Sequence, residues 1–397
     1  MIAEKLLFTA LVEGCPFIHE NRINAVLDVS IALRDSQNLS LSQIGRSLKG
    51  SIDIKHKIKK VDRLEGNGKL HEELSDLYIA LSNYVFTYLS QDPTLPIVID
   101  VCFMKDDRAI QMLSAEVTTK GRTLPVYRKL FKEGELKEQT QDFLKGLAHC
   151  IPKGRKVIII MDAGFHCEWF KLIDSLGWSW ICRVRQGKSL KFLNTDSWLS
   201  IKDFIPTIKE KTTNYEQVLL TKEHEYACRL ITTKRSPKGR VLKDSRGNTN
   251  GKGASGRYKS AGKEPWILVT NLSADEYKSA QIVTLYSKRM QIEESFRDIK
   301  SHQFGLCGRY IRTKCIHRWG VKMLLAAIVQ ITYWVIGVIG HSQGMQRVFQ
   351  ANTVRDKKVF SYFTLGKLII EHNKVNELIF DESILSDVIN TELNRKW

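Results

Sequence analysis

The chain has 397 residues, with 61 Lys and Arg against 43 Asp and Glu, a formal net charge of +18 and a pI near 9.5. Its 43% hydrophobic and 9% aromatic content is enough to bury cores in two or three domains of roughly 100–200 residues each, which excludes disorder as the main state. The positive surplus points to a polyanion, nucleic acid ahead of anionic membrane, because Lys and Arg neutralise phosphates and release condensed counterions.

Residues 1–85 are poor in glycine and helical in period. The polar break DSQNLS, then LSQIGRSL and IKHKIKKVDRL, predict a helix-turn-helix in which Ser40 or Ser42 caps the first short helix. On the second helix Ile54, Ile58 and Val61 share one face, while Lys55, His56, Lys59, Lys60 and Arg63 cover much of the rest. A basic amphipathic helix of this kind can lie in a major groove or simply form a solvated surface.

From Pro96 the pattern changes to strands. IVIDVCFM (97–104) and AIQMLSAEVT (109–118) flank a turn containing Asp106 and Asp107, a third strand is expected over 122–129, and a helix over 135–151. KVIIIM (156–161) reads as a strand buried on both faces, ended by Asp162, with a helix over 168–176 and a strand over 178–185 after it. Residues 188–262 interrupt this scheme as a β-rich insertion with a basic, Gly-rich loop; 265–272 resumes as a strand and 273–301 as helix.

Val321–Gly340 is about as long as the ~20 residues a membrane span requires. It carries Lys322 and Gln330 and has no second span beside it, which favours a buried core helix. The amino terminus has Glu4 and Glu13 and no cleavage pattern, a poor secretory signal, so a cytoplasmic protein is expected. The eight cysteines contain no CxxC pair and read as reduced core thiols.

Chemistry concentrates in YSKRMQIEESFRDIK. On one continuous helix Tyr286, Arg289, Glu293 and Lys300 would lie within about 60° of arc, beside a buried face of Leu285, Ile292, Phe296 and Ile299. Asp100 sits inside an apolar strand, where a charge is costly unless paired or bound to a cation, and Asp162 stands at the carboxyl end of another. Two Asp and one Glu can hold two divalent cations for phosphoryl transfer, with no side-chain nucleophile.

An Asp on the first strand, an Asp after the fourth, a Glu on a later helix and the spacing Y-x2-R-x3-E-x6-K resemble the DDE transposases of the insertion-sequence-four family. MDAGFHCEWFKLIDSLGWSWICRVR, EPWILVTNL, LYSKRMQIEE, QANTVR and the basic KHKIKKVDRL extend the resemblance over most of the chain. It implies an α/β fold: a ribonuclease-H-like core over 86–187 and 263–305, split by the insertion at 188–262, with a helical DNA-binding domain at 1–85 and a helical region at 306–397. It implies that Asp100, Asp162 and Glu293 bind two Mg²⁺ ions, for which Mn²⁺ can substitute, and that Tyr286, Arg289 and Lys300 grip phosphates at the cut end. Trp266 would stack a flipped base, although Met290 stands where a relative has a second Trp.

The activity implied is cut-and-paste transposition in the bacterial cytoplasm. The partners are double-stranded DNA (terminal inverted repeats, then target), a second copy of the chain and a host DNA-bending protein; no membrane is involved. A catalytically silent DNA-binding protein and a metal-dependent nuclease that never joins are the alternatives.

Overall fold

The computed structural model describes residues 2–88, 94–105, 107–234, 264–302, 305–308, 311–354, 359–379 and 387. Met1–Val157 and Met290–Lys396 form a first compact unit, and Ile158–Arg289 a second.

The first unit opens with helices α1 (Ile2–Gly14), α2 (Glu20–Ser36), α3 (Leu41–Ser47), α4 (Ile54–Glu65), α5 (Gly68–Glu72) and α6 (Leu74–Tyr88). Helix α2 stops where Gln37 turns left-handed (φ 51°) and donates its N–H to Leu33 O at 2.8 Å. Ser40 occupies the N-cap position of α3, but its side chain makes no capping bond and lies 3.2 Å from Ser42 Oγ. Helices α3 and α4 pack closely because residue 45 is glycine: a Cβ there would lie 2.7 Å from Ile58 Cα. The apolar face of α4 is covered unevenly. Val61 is buried and Ile58 half-buried, whereas Ile54, in the first turn, is 55% exposed.

Strands β1 (Thr94–Phe103), β2 (Ile110–Thr118) and β3 (Thr123–Lys132) follow, antiparallel in the order β3-β2-β1. Strand β2 is buried along its whole length. Asp107 is an exposed turn residue that accepts from Ala109 N at 3.2 Å, and Asp106 lies outside the described residues. Helix α7 (Leu136–Cys150) buries Phe143, Leu144, Leu147 and Cys150, one helical stripe, and contacts β3 and α6.

The second unit contains β4 (Lys156–Met161), α8 (Cys167–Ser175), β5 (Ser179–Val184), β6 (Ser189–Phe192), β7 (Leu199–Ser200), α9 (Ile201–Phe204), β8 (Thr213–Leu220), β9 (Tyr226–Thr233), β10 (Trp266–Thr270) and α10 (Ser279–Ser287). Its strands run in the order β4-β5-β10-β9-β8-β6-β7. Strands β4 and β5 pair in parallel, and the remaining pairs are antiparallel. Residues 189–233 thus extend the same sheet, while 235–263, most of the basic Gly-rich stretch, lie outside the described residues. Phe170 stacks on Trp180 with ring centroids 4.0 Å apart, and Trp180 Nε1 donates to Asp174 Oδ1 at 3.0 Å, so α8 is pinned to β5 through one face and the edge of one indole.

The chain then returns to the first unit with α11 (Met290–Lys300), α12 (Ile316–Ser342), α13 (Gln346–Phe349) and α14 (Tyr362–Glu371). Among the described residues α12 is the one helix long and apolar enough to cross a membrane, and its apolar window is wholly buried within the chain. It packs on α14, β3, α2 and α6. Two glycines permit the approach to α14: a Cβ on Gly337 would meet Tyr362 O at 1.8 Å, and one on Gly366 would meet Tyr333 O at 1.9 Å. Lys322, buried in α12, donates to Leu39 O at 3.0 Å and to the Glu65 carboxylate, which matches its charge inside the core. Seven of the eight cysteines are buried thiols, as expected; Cys315, at the start of α12, is exposed.

Candidate functional site

In the first unit, Asp100 is a half-buried residue of β1, opposite Ser114 of β2, and follows the fully buried run Ile97, Val98 and Ile99. Its Oδ1 accepts from Val101 N at 2.8 Å, which turns the carboxylate along its own strand. Helix α11 packs on β1 and β3, and Ile292, Phe296 and Ile299 are buried as the apolar spacing requires. Glu293 is exposed. Lys300 Nζ donates to Phe103 O at 3.3 Å and lies 5.8 Å from the centroid of the Phe296 ring. A second tie joins α11 to the β2–β3 turn, where Arg122 Nε meets Asp298 Oδ2 at 3.0 Å. Burial pushes the Asp298 carboxyl up to about 7, against the opposing pull of Arg122.

In the second unit, Asp162 follows β4 directly, at the carboxyl edge of a parallel strand pair. Ala163 N donates to its Oδ1 at 2.6 Å. Arg289 Nη1 stands 3.8 Å from Oδ2 and Arg185 Nη2 4.0 Å from Oδ1. Trp266, the first residue of β10, packs edge-on against Tyr286 with centroids 5.0 Å apart. Tyr286 is 3% exposed, and burial raises its phenol well above the usual range. A groove of about 300 Å³ beside Asp162 is lined by His166, Arg185, Gln186 and Lys188, among others. The sequence reading missed Arg185. The parallel register, Met161 against Cys182, sets Asp162 next to the Arg183–Arg185 end of β5 and was the signal available.

The single helix expected over 273–301 is corrected. Arg229 Nη1 takes the carbonyls of Ser273 and Tyr277 at 3.1 and 2.7 Å and Nη2 donates to Ser279 Oγ at 3.1 Å, so the turn before α10 is held by a guanidinium and helix begins only at Ser279. Helix α10 then tightens, with Lys288 N and Arg289 N donating to Leu285 O and Tyr286 O at 3.1 and 3.0 Å, and ends. Tyr286 and Arg289 therefore belong to one element and its terminal turn, Glu293 and Lys300 to the next.

On α4, Lys55, His56, Lys59, Lys60 and Arg63 are all exposed. Lys59 pairs with Asp62 at 2.7 Å and Lys60 with Asp28 at 2.8 Å, while Lys55 is 3.9 Å from Asp53. Surface pairs of this kind are worth about 0–1 kcal/mol and give way readily to a denser anion. The helix is anchored from behind: Arg318 Nη1 meets Asp62 Oδ1 at 2.8 Å, and Lys322 meets Glu65. Among the described residues, no group of three or more His, Cys, Asp or Glu side chains is gathered so as to hold a metal ion.

A mixed α/β architecture with an acid at the carboxyl end of a parallel strand places a charged side chain where open sheets commonly carry their sites. A family model described as the transposase DDE domain matches residues 117–329, more than half of the chain, and the chain belongs to that family. No curated protein matches it. The chain is a DDE-type transposase, a class that acts on DNA and generally uses divalent metals.

Proposed function

We propose that the chain is a cut-and-paste transposase of the insertion-sequence-four family, with a finer likeness to the transposase of insertion sequence ten. The observation that carries this reading is Asp162 at the end of β4, with Arg289 of the Y-x2-R-x3-E-x6-K signature 3.8 Å from it. The antiparallel order β3-β2-β1, followed along the chain by helix, strand, helix and a parallel strand, supports a ribonuclease-H-like core.

Asp100, Asp162 and Glu293 would supply the carboxylates for two Mg²⁺ ions, or Mn²⁺ in their place. The donor set suits a hard cation by type, since all three are carboxylate oxygen ligands, which is what Mg²⁺ and Mn²⁺ take. When bound, such ions activate the attacking oxygen and stabilise the leaving one. Arg289, Lys300 and Tyr286 would hold backbone phosphates, and Trp266 would stack a flipped base, offsetting part of an unstacking cost of a few kcal/mol. Helix α4 would enter a major groove at the transposon end, with Lys55, His56, Lys59, Lys60 and Arg63 against phosphates.

Water would cut one strand, and the freed 3′ hydroxyl would attack the opposite strand to give a hairpin. The hairpin would be reopened and the end joined to target DNA. Each step is an in-line displacement at phosphorus. Two copies would hold the two ends in the bacterial cytoplasm, with a host DNA-bending protein assisting.

The test is incubation with transposon-end DNA and Mg²⁺. Hairpin and joined products are expected, and Asp162→Asn should keep end binding while abolishing cleavage. Binding without cleavage by the native chain would point to a silent DNA-binding protein, cutting without joining to a nuclease, and substantial cutting by Asp162→Asn would overturn the triad.

A further inference from the structure

Beneath the elements assigned so far, a fully buried polar chain of the first unit runs from the sheet into α11. Arg128 on β3 and Glu116 on β2 have side chains with no exposure, and Arg128 Nη2 donates to Glu116 Oε1 at 2.8 Å. The same nitrogen donates to Gln330 Oε1 on α12 at 2.7 Å, and Arg128 Nε donates to Ser114 Oγ at 3.2 Å. Glu116 also accepts from Ser114 Oγ at 2.8 Å and from Thr123 Oγ1 at 2.5 Å. A guanidinium only donates, so the Gln330 oxygen must face Arg128 and its NH₂ must face the other way. There Nε2 donates to Ser295 Oγ at 3.1 Å. Ser295 is 1% exposed and lies two residues beyond Glu293 on α11.

Stability does not account for this chain. Apolar residues of similar volume often hold a core as well as a buried ion pair does, and Arg128 Nη1 is buried there without a hydrogen-bond partner. What a directional chain supplies is registration. The apolar contacts of Ile292, Phe296 and Ile299 tolerate small rotations and slides of a helix, whereas a directional hydrogen-bonded series ending on Ser295 tolerates them less. We infer that Gln330 is a positioning residue: held by Arg128, it fixes the rotation and height of α11 at Ser295, and so the place of the Glu293 carboxylate. This rests on the proposed metal-binding role of Glu293.

The experiment uses the full chain and the variants Gln330→Met, which nearly keeps volume but loses the bonds to Arg128, to Ser295 Oγ and, at 3.5 Å, to Ser295 O, Ser295→Ala, which removes the hydroxyl and leaves only the long carbonyl contact, and Ser295→Thr, which restores the hydroxyl. Without metal or DNA, hydrogen exchange of the α11 amides should be about tenfold faster in Gln330→Met and Ser295→Ala, with β1–β3 unchanged. The Mg²⁺ concentration for half-maximal end cleavage should rise about tenfold in both and return in Ser295→Thr, with end binding within about twofold of native. Native exchange in α11 of both variants, or faster exchange with an unaltered Mg²⁺ midpoint, would overturn the inference. A native chain that cleaves no end DNA at any Mg²⁺ or Mn²⁺ concentration would instead sink the Glu293 reading, while exchange would still report on the Gln330 tie.

Discussion

The two halves of the tyrosine-to-lysine signature are built differently. Tyr286 and Arg289 are 3% and 7% exposed and already engaged within the second unit, one against Trp266 and the other near Asp162. Glu293 is exposed and Lys300 half-buried on α11 in the first unit. One sequence motif thus combines two side chains packed in a core with two that are more open to solvent. Spacing alone treats the four as equals; burial separates them.

The sharpest break of that comparison is Glu293→Gln. Cleavage should fall by more than about a hundredfold, since even groups behind metal ligands cost about that much, while the thermal midpoint stays native. A drop in midpoint as large as that of a core mutant would erase the distinction. Tyr286→Ala should do the opposite and destabilise by about 3–5 kcal/mol in denaturant unfolding, as buried aromatic truncations do. If it is neutral to stability, the first half of the signature is not structural. Lys300→Ala should weaken end binding and lower the slope of log affinity against log salt by about one; an unchanged slope would argue against a phosphate contact.

A pH-dependent effect concerns Asp298, behind Lys300 on α11. Its folded pKa, near 7, lies above the usual carboxylate value of 3.8, so the folded state holds a proton that the unfolded state has released between those limits. Its contribution therefore becomes less favourable as pH rises from about 4 to 7, and Asp298→Asn should flatten that part of the stability profile. Melting of both proteins across pH 4–8 measures this, and parallel curves would refute it.

Much of the fold was legible where residues declare their own environment. KVIIIM could hardly be anything but a buried strand, and IVIDVCFM, AIQMLSAEVT and PWILVTNL gave their strands through apolar runs between polar turns. The break between α10 and α11 was not legible because no Gly or Pro marks Lys288–Arg289, and the late start of α10 depends on Arg229, nearly fifty residues upstream. Core and membrane readings of Val321–Gly340 could not be separated by hydropathy. What separates them is Gly337 and Gly366, each facing the carbonyl of a neighbouring helix. Of the candidate site, the acids and the signature were readable by residue type and spacing, whereas Arg185 required the register of two strands, and the exposure of Ile54 required knowing that only the later turns of α4 are covered.

The first unit is made from two stretches of chain with the whole second unit between them. During synthesis a ribosome delivers Ile158–Arg289 in one piece, ready to collapse, while α2, α6 and β3 wait with uncovered apolar surface until α12 emerges. A message cut short before Ile316 would therefore yield a polypeptide whose first unit lacks its central helix, the kind of fragment that chaperones and proteases remove.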